Sequence, residues 1–205
     1  MLEYINALPL QWKYVFETED FTERKKRTLE LWNKYCSEEL SLTISFINHN
    51  LLSLDLINDN GELAVIYGLK NEQDKKIYYK GFIPKETYNI EYWKDIPESI
   101  AKFYTNIHNG FVDLQFDDPG IIPIDKVECL DDYEWGIIED LGLEVQINLS
   151  SMYILFSNGA GGYVVMDITN CDENNATIWF AKKEPMYNKK FWDFTDEWML
   201  MTLMG

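Results

Sequence analysis

A chain of 205 residues with 46% hydrophobic and 15% aromatic content can build a substantial core, which excludes the intrinsically disordered class. Its formal net charge of −17 excludes nucleic-acid backbones and anionic membranes as direct partners and admits basic proteins. No run approaches the roughly 20 apolar residues that span a bilayer. The opening residues (MLEYINALPLQWKYVF) lack the basic and apolar regions of a signal peptide. The three cysteines, Cys36, Cys129 and Cys171, are far apart and odd in number, and His49 and His108 are the only histidines. That pattern predicts reduced thiols, a cytoplasmic setting and no structural metal.

Residues 18–36 are predicted to be a helix. Asp20 with Glu23 resembles a capping box, and Phe21, Leu29, Trp32 and Tyr35 or Cys36 approximate one apolar face. From residue 41 four short runs (SLTISFIN, LLSLDLIN, ELAVIYGL, KKIYYKGF) alternate in polarity. NHN, NDNG and KNEQD lie between them, the signature of a β-meander. Residues 84–94 carry no period and join a first part, 1–90, to a second, 91–205.

The second part opens with DIPESIAKFYTNIHNG, predicted as a helix. Asp95 is its cap, Pro97 lies in its first turn, Glu98 completes the box, and Asn109-Gly110 is its left-handed stop. Ile100, Phe103, Tyr104 and Ile107 stand at i, i+3, i+4 and i+7, one apolar stripe. Residues 111–144 then concentrate charge, with eleven acids against the single base Lys126, a net −10. DDPG marks a loop there, and WGIIEDLG (135–142) fits a short helix or a strand. SMYILFS, GYVVMDI and ATIWFAKK are predicted strands. FWDFTDEWMLMTLMG is a closing helix capped by Asp193 or Thr195, with Phe194, Trp198 and Met201 or Leu203 toward the core. The class is α+β: a mixed, largely antiparallel sheet with helices packed on it.

SNGAGG (157–162) has the composition of a phosphate loop but not its context. A phosphate cradle needs a helix after the glycines, whereas here they lead into Tyr-Val-Val-Met-Asp-Ile, with no Lys-Ser/Thr pair. A strand on each side makes it a hairpin, with Gly159 and Gly161 supplying positive φ. No serine stands in a nucleophile-elbow sequence, and the adjacent acids Asp117-Asp118, Asp131-Asp132 and Glu139-Asp140 cannot face one another across a cleft. DENN (172–175) lacks the spacing of a calcium loop. No catalytic residue, metal site or cofactor is predicted.

The order of motifs over residues 95–204 resembles the SUKH superfamily, named for the SMI1/KNR4 proteins. It runs from a Pro-led amphipathic helix ending in Asn-Gly, through an acidic stretch, to strand, glycine turn, strand ending in Asp, aromatic strand and Trp/Phe-rich last helix. Ile96-Pro97 replaces the family's usual Leu-Pro, and Gly161-Gly162 its frequent Gly-Asp. The resemblance implies an α+β fold and, in bacteria, a non-catalytic immunity protein that neutralises a secreted polymorphic or contact-dependent toxin, often a nuclease. Pro97, Gly110, Gly159, Gly161 and Asp167 match its motif positions, to which turn geometry and strand-end hydrogen bonding are assigned. A nuclease has a basic cleft, which carboxylates can occupy. Asp117, Asp118, Asp131, Asp132, Glu134, Glu139 and Asp140, with Tyr133 and Trp135 as anchors, are therefore the candidate partner-binding residues. A regulatory interaction module of the SMI1/KNR4 type and an acidic mimic of nucleic acid are the alternatives.

Overall fold

Short apolar runs set between turns build the sheet, and the computed structural model describes the chain over residues 2–136, 138, 142 and 145–205. In GYVVMD, Val164 and Met166 join one apolar cluster while Tyr163 and Val165 join another, so a period of two puts apolar side chains on both faces. Nine strands result among the described residues: β1 Leu51–Asp59, β2 Glu62–Lys70, β3 Lys76–Phe82, β4 Asn109–Asp113, β5 Gly120–Ile121, β6 Met152–Ser157, β7 Gly162–Asp167, β8 Ala176–Phe180 and β9 Met186–Lys189. Each pairs with the next in sequence, and every one of these ladders is antiparallel. The fold is α+β. One sheet therefore runs through both parts of the chain, and the β3–β4 ladder crosses from the first to the second.

Helices cover one face: α1 Leu2–Asn6, α2 Leu10–Phe16, α3 Phe21–Cys36, α4 Ser41–Asn50, α5 Glu98–Lys102 and α6 Phe191–Met204. The large core cluster lies between them and the sheet and takes in Trp12, Trp32, Ile47, Ile100, Tyr67, Phe111 and Leu203. The α1–α2 segment carries no predicted element, yet Trp12 is fully buried, with its indole donating to the Ile107 carbonyl at 2.7 Å.

Residues 41–48 correct the sequence reading: they belong to α4, not to a strand. Leu40, Ile44, Ile47 and Leu51 are buried at a helical spacing. The helix start is capped from far along the chain. Asp196 of α6 accepts from the Leu42 and Thr43 amides at 2.8 and 2.9 Å, which satisfies donors that no local side chain reaches. α3 keeps its expected cap, Asp20 accepting from the Glu23 amide at 2.8 Å, but Glu23 turns to Arg27 instead of closing the box.

Two other helices differ in detail. Asp95 ends a short 3-10 turn, and Pro97 precedes α5 as its cap residue rather than entering it. After Lys102 the chain widens into a π turn, Phe103–Ile107, which buries Phe103, Tyr104 and Ile107 together. Gly110 has φ +81° but stands inside β4, and a side chain there would meet the Pro123 backbone at 2.5 Å. In α6 neither Asp193 nor Thr195 caps. The buried face is Phe191, Thr195, Met199 and Leu203, while Met201 is exposed.

At the centre of the large cluster His108 is fully buried. Its ring stacks on Trp12 at 4.7 Å and on Phe111 at 5.9 Å. The Trp32 indole donates to the Tyr67 hydroxyl (3.0 Å), which lies 2.8 Å from His108 Nε2, while Nδ1 lies 3.2 Å from the Phe82 carbonyl. A carbonyl only accepts, so Nδ1 carries the proton and Nε2 accepts from Tyr67. Gly81 makes room: a Cβ there would lie 2.3 Å from the imidazole. Burial lowers the His108 pKa from 6.5 to about 3, against the opposing pull of the Phe82 bond. Protonation thus favours the unfolded chain, and stability present above pH 6.5 drains as pH falls toward 3. Urea unfolding at pH 7.0 and 5.5 is expected to show the protein losing about 1 kcal/mol from this group, and His108→Gln to abolish that slope. An unchanged slope in the variant sinks the assignment.

Candidate functional site

The second apolar cluster, Leu130, Met152, Ile154, Val165 and Trp179, lies on the opposite face of the sheet. The acidic segment covers it. Asn109 pins the segment's start, accepting from the Ile124 amide at 2.9 Å and donating to Asp125 at 2.8 Å. Backbone bonds from Ile122 to Leu155 and from Ile154 to Glu128 run it along β6. Leu130, wholly buried, is its plug, and its carbonyl accepts the Trp135 indole at 2.7 Å. Trp135 in turn packs edge-on against Trp179 and Tyr163, with ring centres at 5.5 and 5.8 Å. Asp125, Glu128, Asp131, Asp132 and Glu134 of this stretch are exposed, because its apolar residues are spent holding it down.

The β4–β5 loop approaches from the other side. The Asp113 carboxylate accepts from the Gln115 and Phe116 amides, and Asp117 adopts φ +54°, a conformation that Asp tolerates. Phe116 is left 71% exposed, the most exposed aromatic ring of the loop. Between the loop and the cover lies a cavity of about 420 Å³. Ile122, Pro123 and Ile154 supply its apolar lining, Tyr133, Trp135 and Tyr163 its aromatic lining, and Asp117, Asp118, Glu128 and Glu134 its carboxylates. Lys126 is the cation among the lining residues.

The structure thus brings Asp117, Asp118, Tyr133, Glu134 and Trp135 together. Asp131 and Asp132 are exposed on a 3-10 turn and do not line the cavity; Asp132 accepts from the Cys129 amide. Glu139 and Asp140, half of the undescribed part of WGIIEDLG, lie outside the described residues. Glu128 and Tyr163 join the site without a sequence signal of their own. Tyr163 shows only as an outward position of β7, and burial followed by the charge of Asp118 raises its phenol above the ordinary value.

The two acids of the DDPG loop differ in state. Asp117 pairs with Lys80 at 2.8 Å, and Lys80 also pairs with Asp59 at 2.7 Å. Lys80 is buried, yet its pKa is raised. Burial pulls it down, and the bonds to Asp117 and Asp59 outweigh that pull. Asp118 makes no ion pair among the described residues. Tyr133, 44% exposed, donates its hydroxyl to Glu128.

The remaining motif positions are remote from the cavity or shape its edge. Gly159 and Gly161 hold φ +71° and +78° in the β6–β7 turn, where Asn158 accepts from the Ala160 and Gly162 amides. The turn leads straight into β7, so its amides close a hairpin. Asp167 accepts from the Thr169 amide and hydroxyl at the end of β7. No group of three or more His, Cys, Asp or Glu side chains placed to hold a metal ion occurs among the described residues, and no described helix is long and apolar enough to cross a membrane.

Comparison with protein-family models, curated proteins and solved structures finds no match to this chain.

The cover separates two aromatic roles. Trp135→Ala is expected to lower stability by about 2–4 kcal/mol, because it opens the second cluster and strands the Leu130 carbonyl. Tyr133→Ala is expected to change it by less than about 1 kcal/mol. Denaturant titrations of both variants decide it, and equal losses would show Tyr133 to be structural.

Proposed function

We propose that this chain is a non-catalytic binding protein that captures a basic protein on the cavity face, and that the captured protein is a secreted toxin to which it gives immunity. The observation that carries the reading is the cavity itself. Carboxylates from the β4–β5 loop and from the cover converge beside the half-buried Trp135 and Tyr163 and the exposed Tyr133, the composition of a hot spot ringed by charge. The net charge of −17 adds a long-range field that speeds encounter with a cationic partner. The toxin and the immunity role rest on the SUKH-like order of motifs from Ile96-Pro97 to the last helix.

The alternatives weigh less. A phosphate-bearing ligand meets repulsion from Asp118, Glu128 and Glu134. A nucleophile with an adjacent base, as acyl transfer requires, is not assembled among the cavity's lining residues. The buried histidine is held neutral by its surroundings and is sealed in the core, away from any substrate.

The test starts from capture of the partner from the source organism, followed by association kinetics. The partner is expected to be basic, to arrest growth when expressed alone, and to be silenced by co-expression of this chain. Reversal of Asp118, Glu128 and Glu134 to lysine is expected to slow association at least about tenfold at low salt, with less effect at high salt. Reversal of Asp131 and Asp132, which do not line the cavity, is expected to do less. A neutral or acidic partner, or one indifferent to the triple reversal, overturns the reading.

A further inference from the structure

We propose that the cavity is a receptor for one arginine side chain projecting from the basic protein. The proposal rests on the function proposed for this face for the source of that arginine, and on the geometry of the cavity for its chemistry. The volume, about 420 Å³, lies at the small end of ligand pockets, room for one elongated side chain rather than a dinucleotide or a helix. Its lining is ordered by polarity. Ile122 and Ile154 are apolar, Trp135 and Tyr163 present rings at 69° to each other, and Asp118, Glu128 and Glu134 bring carboxylates.

Arginine matches each part. Its methylene stem covers apolar surface. Its planar guanidinium stacks on a ring face and meets a carboxylate with two parallel hydrogen bonds. It is more weakly hydrated than an ammonium, so it gives up water more readily on entering a half-closed space. A lysine could pair with one carboxylate but would leave the rings unused.

The charge balance also fits. Asp117 is neutralised by Lys80, which leaves Asp118, Glu128 and Glu134 against Lys126, a net of −2 in the lining. One guanidinium reduces that excess without reversing it. Lys126 is the one cation among the lining residues. Its ammonium lies over the Phe82 ring, 5.1 Å from the ring centre, and makes no ion pair among the described residues. Its removal should therefore strengthen arginine binding, which a merely solvated acidic surface would not require of that one lysine among eighteen Lys and Arg residues.

The experiment titrates the intact chain with N-acetyl-arginine methylamide and follows backbone and indole signals by NMR. The neutral isostere N-acetyl-citrulline methylamide and the lysine analogue serve as controls. Arginine is expected to bind saturably, with a dissociation constant on the order of millimolar, to shift the Trp135 indole, and to weaken with salt. Citrulline is expected to give no saturable shift, and lysine to bind at least about threefold more weakly. Glu128→Gln and Glu134→Gln are each expected to weaken arginine at least about threefold, and Lys126→Met to tighten it about threefold. All three variants change exposed side chains, and their folding is checked by the dispersion of the same spectra. Equal shifts from citrulline and arginine, no saturation up to about 50 mM, or a Lys126→Met variant that binds no better, each overturn the receptor. If the probe fails while the triple charge reversal still slows capture, the face attracts its partner by field alone and only the receptor falls. If the reversal has no effect, the basic-partner reading falls with it.

Discussion

Everything on the helical side of the sheet is organised around one buried polar ring. His108 contributes a donor and an acceptor to a space where neither could be left unmet, since an unpaired polar group in a core costs about 1–3 kcal/mol. The Phe82 carbonyl and the Tyr67 hydroxyl meet both, and Tyr67 is itself met by Trp32. These partners come from β3, β2 and α3, and the stacked rings Trp12 and Phe111 come from α2 and β4. Five elements are thereby fixed to a residue that an isolated helix reading would place at a helix end. Gly81 is required by the same arrangement, because its missing side chain is the space the imidazole occupies.

That constraint reaches the other face through the short stretch after His108. Asn109 and Gly110 come next in the chain. Asn109 fixes Ile124 and Asp125, and Gly110 lets Pro123 approach the strand at 2.5 Å from where a Cβ would stand. The cover is thus anchored at one end by residues whose position the buried histidine sets. At the other end Cys129 bonds to the Leu149 carbonyl, and Leu130 and Trp135 fill the second cluster. The cavity is the gap left between this cover and the β4–β5 loop. Candidate site residues on loops, positioned by a sheet, follow the usual division of labour.

The sequence was most legible where one local rule decided the outcome. Strands β6, β7 and β8 are short, almost continuous apolar runs bounded by glycine and asparagine. α3 has its own cap in Asp20. Legibility failed where a distant residue decided. SLTISFIN alternates well enough to pass as a strand, but Leu40, Ile44, Ile47 and Leu51 pack at a helical spacing and Asp196, more than 150 positions later, caps the helix start. The closing helix exposes Met201 although it is apolar, because the buried face was set by Phe191 and Leu203. For the site, the concentration of acids was plain, and so were Tyr133 and Trp135. Their division of labour was not. Trp135 owes its place to an indole bond and two aromatic neighbours that pairing brings from β7 and β8, and no spacing within residues 111–144 encodes that. Glu128 and Tyr163 are unremarkable in their own segments and matter only because folding sets them beside one cavity.

The adjacent acids of the DDPG loop show why a count of charges is a poor guide to an interface. Asp117 and Asp118 are chemically alike and consecutive, yet one is spent and the other free. Lys80 is buried on the sheet's outer face at 6% side-chain exposure, and a cation so placed needs compensation close by. Asp59 supplies part of it and Asp117 the rest, so Asp117 turns inward in a left-handed backbone conformation. On the proposed reading a basic partner gains little from a carboxylate already bound to a lysine, because it would have to displace Lys80, which is itself buried. Asp118, Glu128 and Glu134 carry no such obligation to a cation. The density of acids along the segment therefore sets the field at a distance, whereas on the proposed reading the contact falls to Asp118, Glu128 and Glu134, which pair with no lysine or arginine among the described residues.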